Sequence, residues 1–420
     1  MKKRYFMITV KPFNALMPKG ELAHLCGALP YDVMSSSEAR EMVKGNRYSF
    51  LHVDRAEIDL DKSIDIYDKQ VYDRARDNLI ALEREGIYSL DTKKRFYFYR
   101  QIMNGHSQTG IVGCASIDDY LENRIKKHEH TRADKELDRI KHVDACSAHT
   151  GPIFLTYKEC NPLDEIIERE TQGKPIFDFV AEDGVRHTVW ATGDEGVDNQ
   201  IEYEFSRLNA LYIADGHHRC ASAVKVGQKR REEQGSFTGD EEFNYFLSVI
   251  CPSASLKILD YNRLLRDLNG YTPQELLEKI EKDLGKVSEH KGEGPYKPEN
   301  KHTVGMYIDK KWYRVDFHPE LCCEQSAVDR LDCAILQKHF LSKIMGINDP
   351  RSDKRIDFAG GIRGLNYLEE RCSRDMAMAI SMYPTQMADL MAVADEGQVM
   401  PPKSTWFEPK LRSGLLIHKI

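Results

Sequence analysis

Residues 211–219 read Leu-Tyr-Ile-Ala-Asp-Gly-His-His-Arg. An apolar strand ends in Asp-Gly, and polar residues then open a helix. Glycine permits a tight turn and a close backbone approach. A helix N-terminus offers unpaired N–H groups and the positive end of the helix dipole, which together favour an anion. His217 and His218 add directional donors, and Arg219 matches phosphate oxygens two at a time. Asp215 stands where a metal ligand or a proton acceptor would be useful. A plain strand–helix corner would account for an isolated Asp-Gly turn. Four costly polar groups together at the end of a buried strand call for a site.

A second cluster, Arg-Ile-Lys-Lys-His-Glu-His-Thr at 124–131, sets Glu129 inside a dense basic run. Neighbouring cations favour an ionised carboxylate, the form a general base needs. A solvated charge run capped by Thr131 is the competing reading. His128-Glu129-His130 lacks the HExxH spacing of a zinc helix, and a metal pair there would need further ligands. A third cluster is the tail from Met400, where Lys403, Lys410 and Arg412 lie among Pro401, Pro402, Trp406 and Pro409. It reads equally as an ordered segment lining a site or as a terminal strand docked for stability. Neither GxxxxGK[ST] nor GxGxxG occurs, and the GxSxG elbow and the protein-kinase motif set are missing too.

These residues must be held by elements that periodicity brings out. Buried strands are expected at Tyr48–Val53, Arg95–Met103, Thr109–Ser116, Pro152–Tyr157, Ala210–Ala214 and Tyr245–Cys251. Asn104-Gly105 and Glu182-Asp183-Gly184 mark hairpins, as does Asp309-Lys310-Lys311. Helices are expected at Asp61–Glu85, Thr131–Val143, Pro162–Glu170, Gln200–Leu208, from Gly216 to about Glu233, at Thr272–Leu284 and at Ala327–Met345. Strands and helices alternate without a regular βαβ rhythm, so the fold class is α+β.

The chain has 420 residues, with 60 Lys+Arg against 67 Asp+Glu, a net charge of −7. That length fits two or three domains. The acidity argues against a nucleic-acid or membrane-surface binder. No run approaches the roughly 18 apolar residues of a membrane span. The first twenty residues hold no signal-peptide core, and the ten cysteines include no CxxC pair. They read as reduced thiols, and a cytoplasmic location is the expectation. Oligomeric state is not legible.

Taken together, His128-Glu129, Pro152-Ile153 and Asp215-Gly216-His217-His218-Arg219 resemble the ParB/sulfiredoxin-like fold, and within it the free L-serine kinases. Over its full length the chain also resembles a large bacterial family. That family is marked by Pro30–Val33, Phe50–Val53, His128–Thr131, Asp215–Arg219 and the Pro-Pro-Lys-Ser-Thr-Trp-Phe-Glu-Pro-Lys run at 401–410. The resemblance implies a catalytic core over 117–251, flanked by α+β domains at 1–116 and 252–420. It implies that Glu129 takes the proton of the serine hydroxyl and that Asp215 is the second catalytic carboxylate, near a Mg²⁺ ion. Gly216, His217, His218 and Arg219 then cradle the donor phosphates. Lys127, His128, Thr131, Arg139, Lys403 and Arg412 stand as further contacts to substrate or phosphate.

Serine kinases of this fold use ADP, ATP or inorganic pyrophosphate. No adenine-recognition segment is visible, and Lys126, Arg132, Lys135 and Lys410 add to the basic groups, so pyrophosphate is placed ahead of a nucleotide. The implied partners are L-serine and that donor. The alternative is a ParB-like nucleotide- or DNA-binding module without small-molecule chemistry. Sulfiredoxin-like chemistry would need a cysteine where His217 stands, and Cys220 falls after Arg219.

Overall fold

A computed structural model describes residues 7–323 and 325–420. The first six residues, part of the stretch read for a targeting signal, lie outside them. The fold is α+β. The chain divides into two compact units, residues 1–126, 130–256 and 409–420 in one, and residues 127–129 and 257–408 in the other.

The first unit is built on a nine-stranded sheet. Its strands are β1 (Val10–Lys11), β2 (Tyr97–Met103), β3 (His106–Ser116), β4 (Ile125–Lys126), β5 (Ile153–Tyr157), β6 (Phe177–Val180), β7 (Arg186–Ala191), β8 (Leu211–Asp215) and β9 (Tyr245–Pro252). They run in the order β4-β8-β5-β9-β3-β2-β7-β6, with β1 beside β3. The β8–β4 and β9–β5 pairs are parallel, and the other pairs in this sheet are antiparallel. The β2–β3 hairpin turns at Asn104-Gly105, both at positive φ (50° and 78°), as the Asn-Gly signal requires. Phe96, Phe98, Ile111, Leu155, Ile213, Phe246 and Ile250 fill one face of the sheet.

The helices of this unit are α1 (Lys69–Arg84), α2 (Ala133–Cys146), α3 (Asn161–Glu170), α4 (Glu195–Ser206) and α5 (His217–Gln234). A second core, with Phe50, Val53, Leu79, Tyr88 and Ile417, lies among α1, the 50–58 segment and the end of the chain. There Ile417–Lys419 pairs with Ala15–Leu16 and with Ala148–His149.

The other unit carries a six-stranded sheet. Its Thr303–Ile308 and Lys311–Phe317 strands form the expected hairpin. Its helix α6 (Pro273–Asp283) starts at a Thr272 capping box with Glu275. Trp406–Glu408 pairs with Lys257–Leu259.

Three expectations fail locally. Tyr48–Val53 is not a strand, because Leu51–Asp54 forms one helical turn. A short apolar run suits either state, and here Phe50 N donates to Cys26 O at 3.0 Å while Arg55 N closes onto Leu51 O. The first helix starts at Lys69 and not at Asp61. Asp61 and Asp65 accept the N–H of Ser63 (2.9 Å) and Tyr67 (2.7 Å), turns that compete with helix, and Asp68 then caps. The amphipathic stretch from Ala327 becomes helical only at Asp332, and its Leu336–Ser342 part is a wide π-helix. Glu396 takes the Ala327 N–H at 2.9 Å and Gln398 takes that of Val328, which holds the leading residues out of the helix.

The domain limits also differ from those expected. No unit boundary falls at 116/117, because residues 111–116 of β3 pair with β9. The change near 251/252 falls at 256/257, and the last twelve residues belong to the first unit.

Candidate active site

The Asp-Gly-His-His-Arg segment forms the corner between β8 and α5. Ile213 faces Leu155 across the ladder and Asp215 faces Phe154, so Ala214 is an extra residue in β8. Such a bulge re-aims the side chains beyond it. Gly216 follows at φ +91° and opens the 18-residue helix α5 with no capping side chain. A Cβ at Gly216 would sit 3.1 Å from Arg219 Nε, so the left-handed conformation favours glycine and an added methyl would press on Arg219. Arg219 folds back over this corner and donates from Nη1 to Pro152 O at 2.7 Å.

Both Asp215 oxygens are engaged. Oδ1 accepts from its neighbour's backbone, Gly216 N, at 2.8 Å, and Oδ2 accepts from Lys410 Nζ at 3.0 Å. The protein packed around the carboxyl penalises its charge. Lys410, Arg219 and the Gly216 N–H more than offset that penalty and hold Asp215 well below the usual carboxylate range. Lys410 is placed by the tail backbone. Buried Gln101 donates to Lys410 O at 2.9 Å, and buried Gln108 donates to Pro409 O at 3.3 Å. Sequence reasoning ranked Lys410 as one tail cation among three. The Glu-Pro-Lys spacing carries no sign of the residue it meets almost two hundred positions earlier.

The segment entering α2 is fastened to the same corner. His218 Nε2 accepts the Arg132 N–H at 2.9 Å, which leaves Nδ1 as that ring's donor. Ser222, one turn along α5, donates to Glu136 O at 3.1 Å. Thr131 Oγ1 donates to Glu136 Oε2 at 2.7 Å, so its hydroxyl serves the first turn of α2. Lys127, His128 and Glu129 group with the other unit. There His128 is buried and its carbonyl accepts from Met400 N at 2.8 Å; Glu129 is half-buried and Lys127 exposed. The two carboxylates expected to share the chemistry thus fall in different units.

The remaining expected contacts separate. Arg139 is buried on α2, with Nε and Nη2 on Asp138 at 2.9 and 2.8 Å and its guanidinium 4.0 Å over the Tyr31 ring. Arg219 and Arg139 line one pocket of the first unit. Arg412 is tied elsewhere, to Asp183 in the β6–β7 turn and, at 3.4 Å, to His187 Nε2. Lys403 sits at φ 60° in the second unit, with Nζ 5.7 Å from the Tyr261 ring centre.

A single carboxylate at the corner fits Mg²⁺ as phosphoryl-transfer sites hold it, by one or two carboxylates completed with phosphate oxygens and water. Among the described residues no group of three or more His, Cys, Asp or Glu is arranged to hold a metal ion, and no helix is long and apolar enough to cross a membrane. The ten cysteines are all free, and Cys220 is fully buried.

A mixed nine-stranded sheet whose bulged strand delivers an ionised carboxylate to an uncapped helix N-terminus defines an α+β protein with an anion-type corner. Residues 10–334 match the family described as "Protein of unknown function (DUF1015)", and the chain belongs to that family. A search of the curated proteins finds no match. Among solved structures, the chain is similar to a mutant free serine kinase in complex with AMP. Identity is 15%, with 70% of this chain and 85% of that one covered and a TM-score of 0.36. It is also similar to C-terminally truncated SbnI from Staphylococcus aureus, with values of 10%, 73%, 86% and 0.39. A conserved hypothetical protein from Pyrococcus furiosus gives 14%, 71%, 91% and 0.34.

Proposed function

We propose that the protein is a free L-serine kinase, transferring a phosphoryl group to the serine hydroxyl to give O-phospho-L-serine. The observation that carries this reading is Asp215, a carboxylate kept ionised by Lys410 and Arg219 at the mouth of α5. Phosphoryl transfer needs in-line positioning, neutralisation of developing charge and an acceptor for the hydroxyl proton. In this reading the serine oxygen forms the new O–P bond, and the bond from phosphorus to the donor's bridging oxygen breaks. The hydroxyl proton passes to Glu129. The α5 N-terminus, Gly216, His217 and Arg219 face the donor phosphates, and Lys410 keeps Asp215 oriented. Mg²⁺, held by Asp215 together with donor oxygens, would supply charge neutralisation.

The basic character of the corner and the absence of a nucleotide motif favour inorganic pyrophosphate as donor over ATP or ADP. Phosphorus NMR of the purified protein with L-serine and Mg²⁺ tests the reading, with the three donors in separate tubes. A phosphoserine resonance with pyrophosphate is the expected result. Phosphoserine only with a nucleotide would keep the kinase and overturn the donor. No phosphoserine in any tube would refute the activity.

A further inference from the structure

The pocket beside the corner is lined by Tyr31, Asp54, Arg139, His142, Thr150 and Arg219, and by His149, Gly151 and Ile153. It is small and partly open to solvent. Its charges are placed unevenly. Asp54 is buried, and its Oδ1 accepts from Thr150 Oγ1 at 2.7 Å. His142 Nε2 lies 3.9 Å from Oδ1, and the Arg139 charge also acts on this carboxylate. His142 spends that nitrogen on Val53 O at 3.1 Å, and burial together with Arg139 drives its imidazole towards the neutral form. Asp54 is thus a buried carboxylate held by a neutral hydroxyl, with the charge of Arg139 facing it on the same pocket.

The opposite charge lies on the same pocket. Arg139 gives Nε and Nη2 to Asp138. Arg219 donates to Pro152 O, and its charge acts on Asp215, so it joins the pocket to the corner. His149 is buried, and its Nε2 makes no hydrogen bond to the described residues.

We infer that this pocket is the subsite for the zwitterionic head of a free α-amino acid, with Asp54 receiving the α-ammonium group and Arg139 the α-carboxylate. The side chain of such a ligand is then directed past Arg219 towards Asp215. This rests on the kinase reading for the identity of the amino acid, not for the recognition of its head group. A carboxylate and a guanidinium on one small cavity match a ligand that carries both charges, whereas a phosphate alone would meet Asp54 as a like charge.

Calorimetric titration of the full-length protein decides it, with L-serine, ethanolamine (no carboxylate) and 3-hydroxypropionate (no amine) as probes. Wild type is expected to bind L-serine at least about tenfold more tightly than either analogue, the scale set by losing one charged hydrogen-bond partner. In Asp54→Asn the discrimination against 3-hydroxypropionate disappears, and in Arg139→Gln the discrimination against ethanolamine disappears. Folded variants with wild-type discrimination, or a wild type that binds all three probes alike or none, would overturn the subsite. If a buried substitution prevents folding, the wild-type series alone decides. Phosphoserine formation with an unchanged KM for serine in Asp54→Asn would refute the subsite and leave the kinase standing. Asp54-dependent binding of L-serine without phosphorylation by any donor would do the reverse.

Discussion

Lys410 and Arg412 stand two residues apart in the tail, and each meets an aspartate far away in sequence. The outcomes differ. Lys410 holds Asp215 at the end of a bulged strand and the start of a helix, where a third of the Asp215 side chain stays exposed. Arg412 is 7% exposed and closes a knot with Asp183, His187 and Tyr99, whose hydroxyl lies 2.7 Å from His187 Nδ1. The first pair is a charged group left reachable beside an anion-type helix end. The second ties a turn carboxylate to a buried guanidinium, with no helix end beside it. Neither residue type nor exposure separates them, since the aspartates are 33% and 41% exposed; the identity of the adjoining backbone does.

The sharpest way to break this contrast is Asp215→Asn. It removes the proposed catalytic charge while keeping the shape, and phosphoserine formation should fall by about 10³-fold with the fold intact by circular dichroism. Glu129→Gln should fall comparably if it is the base, with little change in KM for the donor.

Lys410→Met should cost less, about 10–100-fold in kcat/KM, because Arg219 and the Gly216 N–H still act on Asp215. The folded pKa of Asp215 is depressed, so its contribution to stability is present above the ordinary carboxylate value and is lost as pH falls below it. Without Lys410 the folded value rises towards the ordinary one. The acid side of the stability profile should therefore flatten, measured as melting temperature between pH 3 and 6.

Arg412→Met should do the opposite of Asp215→Asn. It should lower stability by about 1–3 kcal/mol, as loss of a buried charged hydrogen bond does, with turnover per folded molecule unchanged. Burial first, then Arg412, pushes the His187 pKa from 6.5 down to about 3. The unfolded chain therefore binds the proton that the folded protein excludes, and stability falls as pH drops from about 6.5 towards 3. Removing the cation lifts the folded value, so that pH window should narrow in the variant. The smallest effect belongs to Gly216→Ala, which forces a side chain to φ +91° and against Arg219; a cost of about 1 kcal/mol should appear as a lower melting temperature.

Much of the fold was legible where the signal is local. Asn104-Gly105, Thr272-Pro273 and the strand–glycine–helix run at 211–217 each encode their own turn or cap, and each appears where expected. Failures came where a distant partner decides, as when Glu396 and Gln398 pull residues 327–328 out of a helix. The corner itself was readable as chemistry, but its cation was not. Lys410 reaches Asp215 only because Gln101 and Gln108, on another hairpin, anchor its backbone. The pocket was missed for the same reason. Tyr31 and Asp54 belong to or adjoin marked stretches at 30–33 and 50–53, yet no spacing announces that they meet Arg139 and Arg219.

The most direct measurement follows phosphoserine by phosphorus NMR in wild type, Asp215→Asn and Arg412→Met side by side, with L-serine, Mg²⁺ and pyrophosphate. Phosphoserine from wild type and from folded Arg412→Met, with none from Asp215→Asn, is the predicted result. Equal phosphoserine from all three, or loss only in Arg412→Met, would contradict the assignment of chemistry to the β8–α5 corner.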